Sequence, residues 1–111
     1  MIKWYPTLYI DQVTEKKERK IKKRMERRKV NVQVYCVAIA SNEKNLFDIY
    51  HANELLFPYY QRKEIKIVGL AGSKESAVLM VADIVNDMYQ QTGKIDAGTF
   101  FQWEENVSDR R

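Results

Sequence analysis

VNVQVYCVAIASNEKNLFDIYH, residues 30–51, is the stretch on which the fold turns. Val30, Val32 and Val34 alternate with Asn31 and Gln33, the period of two that marks a strand with one wet face, and from Tyr35 to Ala40 the chain is apolar on both sides. A strand covered on both faces belongs in the middle of a sheet. Residues 41–45, SNEKN, are turn formers, and LFDIYH at 46–51 then returns as the second strand of a hairpin. The rival is a helix over 46–57 with Leu46, Ile49, Tyr50 and Leu56 on one side. Asn53 followed by Glu54 has the form of a helix cap with an acidic first turn, which would be misplaced inside such a helix, so the strand is preferred. In this register Ala40 faces Leu46 and Cys36 faces Tyr50, one place from His51.

Toward the C-terminus, Pro58 cannot donate an interior helical hydrogen bond, so the segment after Asn53 is predicted as a helix in two parts. EIKIVGLA, residues 64–71, is a buried strand, running parallel to 46–51 through a right-handed crossover. After Gly72, Ser73 caps a helix over 74–92 that buries Ala77, Val81, Ile84, Val85 and Met88 at helical spacing and leaves Glu75, Asp83, Asp87 and Gln90 wet; Gly93 stops it. TFFQW at 99–103 is predicted as a last short strand that could pair at an edge with another chain, and 104–111 as a polar tail. Toward the N-terminus, residues 11–29 form a helix capped by Asp11 or Thr14, with a thin apolar stripe of Val13, Ile21 and Met25 that suits a surface position. WYPTLYI at 4–10 is a short extended segment that Pro6 confines to an edge or a strand start.

The strand ending Ala40-Ser41-Asn42-Glu43, then Asn45-Leu46, then Ile67-Val68-Gly69-Leu70-Ala71 with Gly72, Glu75 and Ala77, and later Tyr89, Thr92 and Gly93, resembles a family of short bacterial proteins with no assigned activity. The likeness covers residues 30–95. It implies the order of the strands and no site.

The chain of 111 residues, 45% hydrophobic and 12% aromatic, suffices for one core. The expectation is a single α+β domain: a mixed sheet of three to five strands with helices mainly on one face, built from residues 30–103 and preceded by the extended segment and basic helix of 1–29. MIKWYPTLYI has no apolar run of signal-peptide length, and no stretch approaches the roughly 20 apolar residues that cross a bilayer. A cytoplasmic protein without membrane contact is expected. One cysteine cannot form an internal disulfide, and a single Cys36 and a single His51 cannot assemble a His/Cys zinc site, so neither metal nor cofactor is expected.

Charge is concentrated in KKERKIKKRMERRK, residues 16–29, where ten of fourteen side chains are basic. From Glu15 to Lys29 the net charge is +7 against +4 for the whole chain, so the other 96 residues sum to −3. Lys16, Arg19, Lys20, Lys23, Arg24, Arg27 and Arg28 are therefore the candidate contacts for an acidic protein or a nucleic acid. On an isolated helix these cations wrap most of the circumference, whereas a groove-binding helix presents one face. Like charges at i and i+4, such as Lys16 with Lys20 and Arg19 with Lys23, make the helix slightly self-repulsive, and an anion nearby would stabilise it. Phe57, Tyr59, Tyr60, Phe101 and Trp103 are candidate interface aromatics for a protein partner or a homodimer.

Three further constellations are weaker. Gly72, Ser73 and Lys74, between a strand and a helix, could hold an anion, but the spacing matches neither the P-loop nor the dinucleotide fingerprint; a turn with a capping serine explains it as well. Cys36 and His51 would be a reactive pair if they touched, yet the pleat puts them on opposite faces. Asp48 is a lone carboxylate with no catalytic companion. The sequence thus points to a non-enzymatic binding or regulatory module acting through protein contacts, with nucleic-acid binding by the basic helix as the alternative and a small phosphate-handling enzyme at 69–74 as the second.

Overall fold

The structure, a computed structural model, describes residues 1–42 and 44–103; the polar tail expected at 104–111 lies outside them. Strand β1 (Ile2–Ile10) leads through the single turn α1 (Gln12–Glu15) into the basic helix α2 (Glu18–Glu26). The hairpin β2 (Tyr35–Ile39) and β3 (Phe47–His51) follows, then a 3₁₀ helix (Ala52–Leu56), the short helix α3 (Pro58–Gln61), strand β4 (Ile65–Ala71), the long helix α4 (Lys74–Thr92) and α5 (Ala97–Phe101).

The strands form one mixed sheet in the order β1-β4-β2-β3, with β1 parallel to β4 and both β4 and β3 antiparallel to β2. The apolar run at 35–40 thus lies centrally, as its composition requires, and β3 and β4 run in the same direction on either side of it. Cys36 is opposite Tyr50, and the Ala40 N–H donates to the Leu46 carbonyl at 3.1 Å, so the hairpin has the expected register. β1 is a full edge strand of the sheet, and the basic helix follows it. Trp4 is opposite Ile67 and Tyr9 opposite Gly69, so residues 5–8 arch out of the ladder around the exposed Pro6.

Residues 30–34 depart from the expected strand. Val30 and Val32 are 58% and 85% exposed while Asn31 is 6% exposed, the reverse of the alternation. The Asn31 N–H donates to Asn53 Oδ1 at 2.7 Å and Asn53 Nδ2 donates to the Asn31 carbonyl at 2.9 Å, a reciprocal pair that replaces ladder bonds. Gln33 at φ +51° bends the backbone out of the extended region just before β2. Asn53 is therefore a tertiary clasp, and the cap of the 3₁₀ helix is His51, whose Nδ1 accepts from the Asn53 N–H at 3.1 Å while Glu54 accepts from the His51 N–H at 2.7 Å. Pro58 begins α3 and divides the segment in two as expected.

Residues 99–103 form no strand. The Phe100 N–H donates to the Asp96 carbonyl and the Thr99 hydroxyl to the Asp96 carboxylate, closing a helical turn that overrides the β preference of TFFQW.

Cover is two-sided. Helix α4 sets Ala77, Met80, Ile84 and Met88 with Phe101 and Trp103 over Val37, Val68 and Ala71. On the other face Ile21 and Met25 of α2, with Ala52 and Leu55, cover Cys36, Ala38, Ile65, Ile67 and Leu70. β4 serves both faces through a bulge at Val68, for Val37 pairs with Gly69 and Ala38 with Ile67. Gly69 suits this close approach, because a Cβ would lie 2.6 Å from Met80 Sδ, which would have to move, and a tight 3.2 Å from the Tyr9 carbonyl.

Candidate functional site

Helix α2 is mounted by two apolar residues one turn apart, Ile21 and Met25, 4% and 5% exposed. On its flank Trp4 Nε1 donates to Glu26 Oε2 at 2.9 Å, and Lys22 Nζ lies 5.5 Å from the Trp4 ring centre. Lys22 also pairs with Glu18 at 3.0 Å. The Arg24 guanidinium donates to the Val30 carbonyl through Nε (2.9 Å) and a terminal nitrogen (2.6 Å), so this candidate contact is spent on holding the turn after α2.

The remaining cations are free to act outward. Lys16, Lys17, Arg19, Lys20, Lys23, Arg27, Arg28 and Lys29 are all exposed. Among the described residues, Lys22 alone of the ten basic side chains at 16–29 has a carboxylate within 4.0 Å. Packing resolves the circumference problem: the sheet covers the Ile21–Met25 side, Lys22 and Arg24 flank it, and Arg19, Lys20 and Lys23 occupy the open half.

The aromatic candidates divide. Phe57 and Tyr59 are 60% and 63% exposed. Tyr60 is half-buried, edge-on to Tyr59 (ring centres 5.0 Å apart) and to Tyr50 (5.3 Å). Tyr50 and Tyr60 pack against the same core as Ile21 and Met25, so these rings lie on the α2 side of the sheet. Lys63 Nζ stands 4.6 Å from the Tyr59 ring centre. Phe101 and Trp103 are 1% and 9% exposed, and the interface expected of them is corrected: their rings, with Tyr5, are core.

The turn at Gly72, Ser73 and Lys74 already holds an anion of the chain's own. Asp11 Oδ2 accepts from the Gly72 N–H at 2.9 Å and from the Ser76 hydroxyl at 2.6 Å, while Oδ1 accepts from the Thr14 N–H at 2.9 Å. Ser73 caps α4 through the Ser76 N–H at 3.1 Å. Partial burial opposes the charge on Asp11, but the bonds from Ser76, Thr14 and Gly72 outweigh it and hold the carboxyl below the usual aspartate range. One carboxylate thus caps α1 and sits at the start of α4, in the position a phosphate would take.

Cys36 is fully buried, and burial, with Glu54 adding to it, pushes its thiol up to about 12, so it is no nucleophile at neutral pH. His51 points to the other face, edge-on to Tyr35 with ring centres 5.0 Å apart. Asp48 accepts from the Tyr50 hydroxyl at 3.3 Å, and burial followed by that carboxylate pushes the phenol up to about 12. Tyr9 donates to Asp87 at 2.6 Å, and burial and then this bond raise its phenol well above the ordinary value. Among the described residues no group of three or more His, Cys, Asp or Glu is placed to hold a metal ion, and no helix is long and apolar enough to cross a membrane.

No family model matches the chain, and no curated protein or solved structure is significantly similar to it.

Proposed function

We propose that the protein is a non-catalytic binding module whose α2 face engages an anionic macromolecule, with single-stranded nucleic acid as the partner that this surface fits best. The observation that carries the reading is a set of eight exposed cations in fourteen residues, mounted by two apolar anchors and left without carboxylate partners among the described residues. Exposed Tyr59, edge-on to Tyr60 on the α2 side, offers a stacking surface of the kind that sequence-tolerant single-strand binders combine with positive charge. Lysine is depleted in the cores of protein interfaces, which counts against a protein seated on α2 itself.

The test is fluorescence anisotropy with a labelled mixed-sequence single strand at several salt concentrations. About five phosphate contacts give a log–log salt slope near −3.5. Replacing Lys20, Lys23 and Arg27 by Glu abolishes binding, and Tyr59→Ala weakens it by about 5- to 100-fold, the worth of one stacked base. Affinity that ignores both salt and the charge reversal rejects the reading. A second reading, protein contact or self-association, is favoured by a different surface: Val78, Leu79 and Tyr89 stand 51%, 67% and 59% exposed along α4. Sedimentation that shows a dimer without nucleic acid would favour it.

A further inference from the structure

A cleft of about 330 Å³ opens between the end of α2 and the 52–61 segment. Its floor is apolar, formed by Met25, Ala52, Leu55 and Ile65, and its rim carries Arg28 and Lys29. Of the other polar groups lining it, the Glu26 carboxylate accepts from Trp4, Gln61 donates to the Leu55 carbonyl, the Met1 ammonium donates to the Gln61 and Lys63 carbonyls, and the Tyr60 ring lies edge-on to Tyr50 and Tyr59. Neither Arg28 nor Lys29 has a carboxylate within 4.0 Å among the described residues.

The backbone gives an independent sign. α2 ends in a Schellman turn, in which the Arg28 N–H donates to the Met25 carbonyl at 3.1 Å and the Lys29 N–H to the Arg24 carbonyl at 2.9 Å. The residue at the left-handed position of that turn is normally glycine, because a Cβ there crowds the following carbonyl. Here it is Arg28, at φ +58°. Gln33 and Gln102 share this left-handed conformation, but of the three only Arg28 lines the cleft, where the turn fixes its backbone at the mouth.

We infer that the cleft binds a small soluble amphipathic carboxylate, its apolar body on Met25, Ala52, Leu55 and Ile65 and its anionic head on Arg28 and Lys29. The volume lies at the small end of ligand sites, which suits a short acyl chain or a single ring. This inference stands apart from nucleic-acid binding, to which Arg28 contributes one cation of eight.

The probe is octanoate, followed by the amide resonances of Ala52 and Leu55, with octan-1-ol and acetate as companions. Octanoate shifts those amides saturably, octan-1-ol binds at least about 10-fold more weakly for want of a charge partner, and acetate leaves them unmoved. Arg28→Gly raises the melting temperature by about 4 °C as the strain is released, yet weakens octanoate at least about 10-fold, a loss that misfolding cannot explain. Arg28→Lys keeps most of the affinity. Octan-1-ol binding as tightly as octanoate, or Arg28→Gly binding as the wild type does, would overturn the inference.

Discussion

The two faces of the sheet are covered on different terms. Helix α4 spends Ala77, Met80, Ile84 and Met88 on its contact, three of them fully inaccessible, and Phe101 closes the layer. Helix α2 offers only Ile21 and Met25, and its remaining positions are mostly cations that repel one another at i and i+4. The first face is built for cohesion. The second holds a charged rod by two apolar residues and leaves most of its surface to solvent.

Core truncations probe this contrast most strongly. Ile84→Ala should cost about 4 kcal/mol and Ile21→Ala about 2 kcal/mol, since α2 can settle into the space left while α4 is locked by the residues around it. Urea midpoints read the difference, and equal losses would break the comparison. Next is the link between the α1 turn and the start of α4: Asp11→Ala removes a cap and the bonds from Gly72 and Ser76, and should cost about 1 to 2 kcal/mol at neutral pH. The folded-state carboxyl of Asp11 is lowered, so its contribution is present above the unfolded value of about 3.9 and is lost as pH falls through the folded one. Wild type and variant should therefore converge as pH falls below the lowered folded value, and a gap that persists in acid would show that the charge is not what matters. Least disruptive is Lys20→Glu with Lys23→Glu, expected to leave stability unchanged or raise it by up to about 0.5 kcal/mol by relieving like-charge pairs. A loss above about 1 kcal/mol would mean that these lysines hold α2 in place.

Where local and global preferences agree, the chain is legible. The hairpin register, the Pro58 break, the Ser73 cap and the Gly93 stop each follow from one residue type in one place, and the Pro6 edge strand does too. Legibility fails where a tertiary partner wins. Val30, Val32 and Val34 alternate like a strand, but Asn31 is claimed by Asn53 from 22 positions away, and no periodicity reports such a clasp. TFFQW has the composition of a strand, yet Asp96, just upstream, starts a helical turn; an Asp three residues before a Thr was the available signal.

The candidate site was legible as charge and illegible as geometry. Counting cations identified the stripe, while the roles of Arg24 as a brace and Arg28 as a strained turn residue depend on carbonyl positions set by the fold. Asp11 could be suspected of capping its own helix, but its reach to Gly72 spans 61 residues and could not.

The burial of Cys36 has a practical corollary. A thiol enclosed in the central strand beneath Ile21 and Met25 ionises so reluctantly that alkylating reagents meet it only when the α2 cover lifts or the sheet itself opens. Its modification rate therefore reports opening of the α2 face, and a cysteine introduced on the outer surface of α2 would be the single labelling point in the intact protein.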